Sequence, residues 1–134
     1  MIFKLSGSRP KNLGVKQGKL ADCPASPNCV CSQVSPTDPV HRINPLALGK
    51  IKPNQAIAKL TAIVRSLPRT QIIESTPNYL YVEFTSALMG YVDDVEFYVD
   101  RTAGVVQVRS ASRLGQSDLG ANRQRIELIR ARFS

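Results

Sequence analysis

The sequence predicts an α+β fold, in which two helices cover one face of a four-stranded antiparallel meander sheet in the order α-β-β-β-β-α, behind an irregular N-terminal arm. Two observations lead to this fold class. Four strand-like runs follow one another between residues 71 and 112, and the linkers between them are short and rich in turn formers, which is typical of antiparallel neighbours. One helical apolar stripe precedes these runs and another follows them, and two such stripes need a common sheet face to pack against.

The arm comprises residues 1–52 and is expected to pack on residues 53–134, so that the chain of 134 residues forms one domain overall. Six of the nine prolines lie in the arm. Proline removes a backbone donor and disfavours helix at the preceding residue. The arm is therefore predicted to be an ordered but irregular wrap over the domain.

The first helix is predicted to begin at Pro53, which suits a first helical position, with Asn54 as a candidate cap and Pro68 as its end. Its apolar stripe consists of Ala56, Ile57, Leu60, Ile63, Val64 and Leu67. The four strands are predicted at residues 71–75, 79–86, 91–100 and 104–112. The second helix is predicted to run from Ser117 or Asp118, either of which can cap it, to the end of the chain. Its inward stripe is Leu119, Asn122, Ile126, Ile129 and Phe133.

The short linkers at residues 87–90 and 101–104 set the register of the last three strands. The predicted partners on one face are Phe84 with Asp93, Val82 with Val95, Leu80 with Phe97, Val99 with Val106, Phe97 with Val108, and Val95 with Ser110. These pairs are mostly apolar, as a core face requires. Asp93 is the exception, and a carboxylate there needs partners, which Asn122 or Arg123 could supply.

The same register places polar residues on the other face. Two rows cross the strands there, Tyr81–Glu96–Arg109 and Glu83–Asp94–Ala111. Opposed carboxylates repel each other, and Arg109 could offset part of this repulsion by pairing with Glu96. Two interpretations stay open. The face could be a solvated outer surface whose charges partly cancel, or a functional patch that binds a cation or holds a carboxylate with a raised pKa for proton transfer.

The corner from residue 109 to residue 123 gathers small residues, hydroxyls, an amide and three arginines around a helix N-terminus. Free amides, a positive helix end and guanidinium groups are the components of a phosphate or carboxylate site, although no Walker or dinucleotide motif is present. Asn122 occupies the inward stripe, where leucine would pack better, and this implies a specific hydrogen-bonding task. The alternative is a purely structural corner.

Three cysteines, Cys23, Cys29 and Cys31, precede the single histidine, His41. Their spacing is not one of the usual zinc-finger spacings. A Cys23–Cys29 bridge across a proline-kinked loop, a thiol nucleophile with His41 as its base, and free buried thiols are the other interpretations.

The chain carries a formal charge of +8, and its first fifty residues hold seven Lys or Arg against two Asp. Such an arm favours acidic surfaces and could make a peripheral membrane contact. No basic run with interleaved aromatics indicates a specific nucleic-acid partner. No apolar run is long enough to span a bilayer, no signal-peptide core is visible, and three cysteines is an odd number for a secreted scaffold. We therefore expect a cytoplasmic monomer without a cofactor or a bound metal.

Several segments together resemble the uncharacterised family called domain of unknown function 1499. They are C-P-A-S-P-N-C-V-C-S-Q (23–33), N-P-L (44–46), Y-V-D-D-V-E-F (91–97) and R-S-A-S-R-L-G-Q-S-D-L-G-A-N-R-Q-R-I-E (109–127), and the opening of the chain resembles the cyanobacterial and chloroplast-type members. The resemblance implies no established reaction, and some relatives carry export or organelle signals. In the family pattern the position of Cys31 is commonly serine, which leaves Cys23 and Cys29 as the disulfide or redox pair that matters.

The resemblance also supports treating ten polar residues as one constellation, the candidate site, without implying what that constellation does. They are Asp93, Asp94, Glu96, Arg109, Ser110, Ser112, Arg113, Asp118, Asn122 and Arg123. Three hypotheses follow. The first is a non-catalytic module that binds an anionic small molecule or an acidic protein segment through Arg109, Arg113 and Arg123. The second is an enzyme that uses Asp93, Asp94 or Glu96 as an acid or base. The third is a structural or assembly protein whose arginines are all satisfied by its own carboxylates.

Overall fold

The computed structural model describes residues 7–114 and 118–134. In chain order its elements are β1 (Cys29–Cys31), β2 (Leu46–Ala47), α1 (Pro53–Arg65), β3 (Thr70–Thr76), β4 (Tyr79–Thr85), β5 (Val92–Asp100), β6 (Val105–Ser112) and α2 (Ala121–Phe133). The fold is α+β, with an antiparallel sheet and two helices, as predicted. None of the helices in this described part of the chain is long and apolar enough to cross a membrane.

The sheet has six strands, so the predicted count of four was wrong. Its order is β1-β6-β5-β4-β3, and β2 pairs with a second stretch of β6. Both additional strands come from the arm, which is therefore not irregular throughout. They have three and two residues, too few to show an alternating pattern, and they are specified by the open edge of β6 rather than by their own sequence.

The predicted register of the last three strands is confirmed. Phe84 lies opposite Asp93, Val82 opposite Val95, and Val95 opposite Ser110. The remaining predicted pairs are Leu80 with Phe97, Phe97 with Val108, and Val99 with Val106. A slip of one residue would move every one of these apolar side chains to the opposite face, so the pattern determines the register.

Both helices pack on the face that carries these apolar pairs. Five of the six predicted stripe residues of α1 are buried, but the helix ends at Arg65, before the predicted end, and Leu67 lies beyond it and is only partly buried. Leu60 of α1 and Ile126 of α2 are fully buried in one cluster with Phe97. Pro53 is the first residue of α1, but the N-cap is Lys52, and Asn54 accepts a hydrogen bond from Arg101 instead of capping the helix.

The start of α2 differs from the prediction. The helix begins at Ala121, because Leu119 and Gly120 adopt left-handed backbone angles with φ of 53° and 82°. This turn directs Leu119 outward, where it is 90% exposed, so its predicted place on the inward stripe was wrong. Ser117, the alternative cap, lies outside the described residues.

The opposite face of the sheet is covered by the arm. Leu20, Cys31 and Val34 form a second buried cluster with Tyr79 and Tyr81, and other arm residues pack against it. The interpretation of this face as a solvated outer surface was therefore wrong. The polar rows of β4, β5 and β6 lie between two layers of protein.

Strand β3 forms the uncovered edge of the sheet. Its register with β4 shifts between Ile72 and Glu74, so that Ile73 has no partner residue on β4. Such a bulge bends and twists a strand locally.

Candidate functional site

Arg113 is at the centre of an ionic network on the arm face of the sheet. Its Nε and Nη2 donate to the two carboxylate oxygens of Asp94 at 2.9 and 2.8 Å, and Nη2 also donates to Glu83 Oε2 at 2.5 Å. Tyr81 donates its hydroxyl to Asp94, and Arg9 reaches Glu83 Oε2 from the arm at 2.8 Å. The two opposed carboxylates predicted from the register are thus neutralised by two guanidinium groups.

The electrostatics of this network favour the charged forms. The hydrogen bond to Asp94 raises the pKa of Arg113 above its ordinary range. Burial opposes ionisation of Glu83, but hydrogen bonds from Arg9 and Arg113 outweigh it and hold the pKa of Glu83 below its ordinary value. Burial, together with the hydrogen bond to Asp94, raises the pKa of Tyr81. This part of the face is a satisfied structural network.

Glu96 lies in the neighbouring row and is fully buried. Its Oε2 accepts hydrogen bonds from the Tyr79 hydroxyl at 2.6 Å and from the Gly14 amide at 2.8 Å, whereas its Oε1 has no hydrogen-bond partner. Burial raises the pKa of Glu96. The expected pair with Arg109 is loose, since Nη1 lies 3.9 Å from Oε1.

Arg109 is a buried cation whose guanidinium is poorly satisfied by the protein. The residue is only 4% exposed, yet its Nε has no hydrogen-bond acceptor. Its Nη2 donates to the Asp22 carbonyl at a long 3.3 Å. A buried donor without an acceptor is costly, and a buried charge more so.

A cavity of about 330 Å³ opens beside Arg109, between the arm and strands β5 and β6. Its walls are formed by Pro10, Asn12, Asp22, Cys23, Pro24, Asp94, Arg109, Ala111, Ser112 and Arg113. The register of the sheet brings the strand residues together here, and the arm closes the space over them. The charged and amide residues that line the cavity are therefore two arginines, two aspartates and one asparagine.

The cysteine segment forms part of this wall. Cys23 and Cys29 are joined by a disulfide with a Cα–Cα distance of 5.6 Å. Cys31 is a buried thiol whose pKa is raised by burial, which disfavours a nucleophilic thiolate. The disulfide removes two of the four ligands from the zinc alternative, and the described residues contain no group of three His, Cys, Asp or Glu side chains that could hold a metal ion.

The His41 side chain connects two segments of the arm. Its Nδ1 is 2.7 Å from Asp38 Oδ2 and its Nε2 is 2.9 Å from the Ser26 carbonyl oxygen. The hydrogen bond to Ser26 and the nearby Asp38 carboxylate raise the pKa of His41 despite its burial. An imidazolium donating from both nitrogens satisfies this geometry.

The other half of the predicted constellation lies on the helix face. Asn122 is fully buried, and its side-chain oxygen accepts a hydrogen bond from Ser110 Oγ at 2.6 Å. Its side-chain nitrogen donates to Ser112 Oγ (2.9 Å), Asp118 Oδ2 (2.7 Å) and the Asn28 carbonyl (3.1 Å). Asp118 also accepts from the Asn122 amide at 3.0 Å, so it caps α2 from outside the helix. Asn122 therefore connects α2 to β6 and to the residue that precedes β1.

The expected partners of Asp93 were wrong. Arg125, one helical turn into α2, donates to Asp93 Oδ2 at 2.7 Å. Arg123 donates instead to the carbonyls of Arg42 and Val40, at 2.9 and 3.1 Å. Arg125 lies three positions after the inward-facing Asn122, so position 125, rather than 123, faces the sheet.

The constellation is thus divided by the sheet rather than gathered at one corner. Four of its residues lie beneath the arm: Asp94, Glu96, Arg109 and Arg113. The remaining predicted residues contact the helix face or the arm. Asn12, Asp22 and Arg125 were not among the predicted site residues. Asn12 and Asp22 come from the proline-rich arm, which has no periodic pattern, whereas the helical spacing of Arg125 from Asn122 could have identified it.

A family model described as "Protein of unknown function (DUF1499)" matches residues 19–133. The match includes the cysteine segment, all six strands and both helices. No curated protein and no solved structure matches the chain.

Proposed function

Since this chain belongs to the family described as protein of unknown function (DUF1499), which assigns no activity, we propose from its geometry that it is a non-catalytic binding module for a small anionic molecule. The ligand enters the cavity beneath the arm, and its anionic group binds Arg109.

The unsatisfied guanidinium of Arg109 is the observation that carries this proposal. Its nearest carboxylate oxygen is 3.9 Å away and its buried Nε has no acceptor. A carboxylate or phosphate group that enters the cavity would give this poorly satisfied guanidinium the charge-assisted hydrogen bonds that the protein itself does not provide. The third hypothesis, in which every arginine is satisfied by a protein carboxylate, is disfavoured at this residue.

The remaining cavity wall restricts the ligand further. Asp22, with a carboxylate, and Asn12, with an amide, also line the cavity, so a ligand with donor groups beside its anionic group fits better than a simple anion. A volume of about 330 Å³ accommodates a small molecule better than a folded protein segment. A hydroxycarboxylate or an amino acid combines these properties.

The arrangement gives less support to acid–base catalysis. Asp93 pairs with Arg125 on the other face, and Asp94 is held by Arg113 and Tyr81. Glu96 has a raised pKa, but it is fully buried and does not line the cavity. A general base must reach the proton it removes.

The test is a thermal-shift screen of phosphate, hydroxycarboxylates and amino acids against three proteins: wild type, Arg109→Gln and Arg123→Gln. Binding to the native state alone raises the melting temperature by mass action. We expect one chemical class to stabilise wild type and Arg123→Gln but not Arg109→Gln. Titration calorimetry on the compound that shifts most then gives its affinity for each variant.

Arg123→Gln is the matched control, because Arg123 belongs to the predicted constellation but contacts only backbone carbonyls away from the cavity. Loss of the shift in Arg123→Gln with retention in Arg109→Gln would relocate the site to the corner. A flat screen with wild type would refute the proposal.

A further inference from the structure

Exposed apolar side chains are concentrated at one end of the molecule. Seven large apolar residues are exposed among the described residues, and six of them surround the start of α2 and the β4–β5 loop. We name these six the apolar rim: Leu88, Met89, Tyr91, Leu114, Leu119 and Leu128. Leu88 and Leu119 are 91% and 90% exposed, so both project from their loops.

The rim surrounds two adjoining cavities of about 320 and 340 Å³, which share Ser86, Ala121 and Arg125 as lining residues. Arg125 and Asp118, two of the charged residues that line these cavities, already have partners. Arg125 pairs with Asp93 at 2.7 Å and its guanidinium lies 4.8 Å from the centre of the Phe84 ring. Asp118, which lines the second cavity, accepts hydrogen bonds from the amides of Gly120 and Asn122. Exposed apolar side chains grouped around a groove are typical of interaction sites.

Three arginines lie beside this surface, at the ends of α1 and α2. Arg69 lines the first cavity, Arg132 donates to Ser66 Oγ at 3.1 Å, and Arg65 precedes Ser66 in sequence. In the part of the chain that the structure describes, none of the three forms an ion pair with a carboxylate. Their charge is therefore available to an anionic surface.

We propose that this end of the molecule docks on an anionic lipid bilayer. The leucine tips enter the interfacial region, Tyr91 lies at the level of the headgroups, and Arg65, Arg69 and Arg132 contact lipid phosphates. The β4–β5 loop, residues 86–91, contains no charged residue that would oppose insertion. The formal charge of +8 adds long-range attraction to the anionic surface.

Vesicle co-sedimentation tests this proposal. Wild type is compared on vesicles of phosphatidylcholine alone and on vesicles that also contain phosphatidylglycerol. We expect binding to the anionic vesicles only, weakened by added salt. The Leu88→Ser/Leu119→Ser variant should partition roughly tenfold more weakly, because two apolar contacts are lost. Arg69→Gln/Arg132→Gln should lose the preference for anionic lipid.

Val40→Ser is the matched control, since Val40 is the seventh exposed apolar residue and lines neither cavity. It should bind vesicles as wild type does. Unchanged melting temperatures will show that the exposed substitutions leave the fold intact. Failure of wild type to bind anionic vesicles, or equal binding by the leucine variant, would overturn the proposal. Concentration-dependent self-association without vesicle binding would do the same and assign the surface to a second copy.

Discussion

Arg109 and Arg113 lie four positions apart in sequence and contribute to the same cavity, yet their environments differ. Arg113 contacts two carboxylates and a tyrosine hydroxyl at hydrogen-bonding distances, whereas Arg109 has one long hydrogen bond and one loose ion pair. Removing one member of a buried charge network leaves its partners unpaired, so the role of Arg113 is to stabilise the fold. Arg109 is the residue that we propose binds the anionic ligand.

The single histidine provides a prediction about pH. The pKa of His41 is raised above its ordinary value of 6.5, chiefly by the hydrogen bond to the Ser26 carbonyl and also by Asp38. A raised folded-state pKa contributes stability that is fully present below the unfolded value and is lost as pH rises through the folded value. We therefore expect the melting temperature of wild type to fall from near neutrality upward, relative to His41→Gln.

Melting curves recorded from mildly acidic to mildly alkaline pH measure this difference. The pKa of Asp38 is lowered mainly by its hydrogen bond to His41, so the contribution of the pair also disappears in acid, as Asp38 becomes protonated. A wild-type curve parallel to that of His41→Gln across the neutral range would contradict the assignment of an imidazolium.

At the scale of elements, Asn122 shows why a polar residue occupies an inward helical position. It satisfies Ser110, Ser112, Asp118 and the Asn28 carbonyl at once. We expect Asn122→Leu to lower the free energy of unfolding by roughly 2–3 kcal/mol, although leucine is the better helix former, because each of these four groups loses a hydrogen bond next to the buried core.

Urea denaturation of Asn122→Leu and Gln124→Leu measures this effect. Gln124 is on the same helix but exposed, so its replacement by leucine should change stability by less than about 0.5 kcal/mol. Equal stabilities for the two variants would show that the α2–β6 connection contributes nothing to the fold.

The elements differ in how far the sequence could predict them. Strands β3 to β6 and the register of the last three were predictable, because alternating apolar residues and tight turns leave a single register that buries Val82, Val95 and Val108 together. Strands β1 and β2 were not, since their pairing is determined by the edge of β6. The start of α2 was predicted too early, because the left-handed backbone angles of Leu119 depend on tertiary structure and cannot be predicted from a leucine side chain.

At the scale of the whole molecule, the sheet lies between two helices on one face and the arm on the other. The register correctly placed Asp94, Glu96 and Arg109 side by side, but whether water or protein covered them depended on the arm. Prolines and scattered apolar residues do not specify where an arm docks. The cavity walls from Pro10 to Pro24 were for this reason beyond sequence reasoning.

The disulfide fixes one part of that arm, and its removal provides a prediction. Cys23–Cys29 spans six positions in sequence and connects the cavity wall to β1. We expect Cys23→Ser/Cys29→Ser to lower the free energy of unfolding by about 2 kcal/mol, because the unfolded chain gains freedom. A reductant should lower the melting temperature of wild type similarly.

Cys31→Ser is the control, since Cys31 is outside the disulfide and should leave the response to reductant intact. Melting temperatures with and without reductant give both comparisons. A wild-type protein indifferent to reductant would show that the bridge does not constrain the arm.

The bulge at Ile73 has a consequence for solubility. Free amides and carbonyls on a long, flat edge strand would recruit strands from other copies and start fibril growth. β1 and β2 occupy the β6 edge, and on the β3 edge the extra residue distorts the row of hydrogen-bonding groups, with Glu74 adding a charge beside it. The bulge therefore limits growth of the sheet by addition of strands, a protection that a straightened β3 would lose.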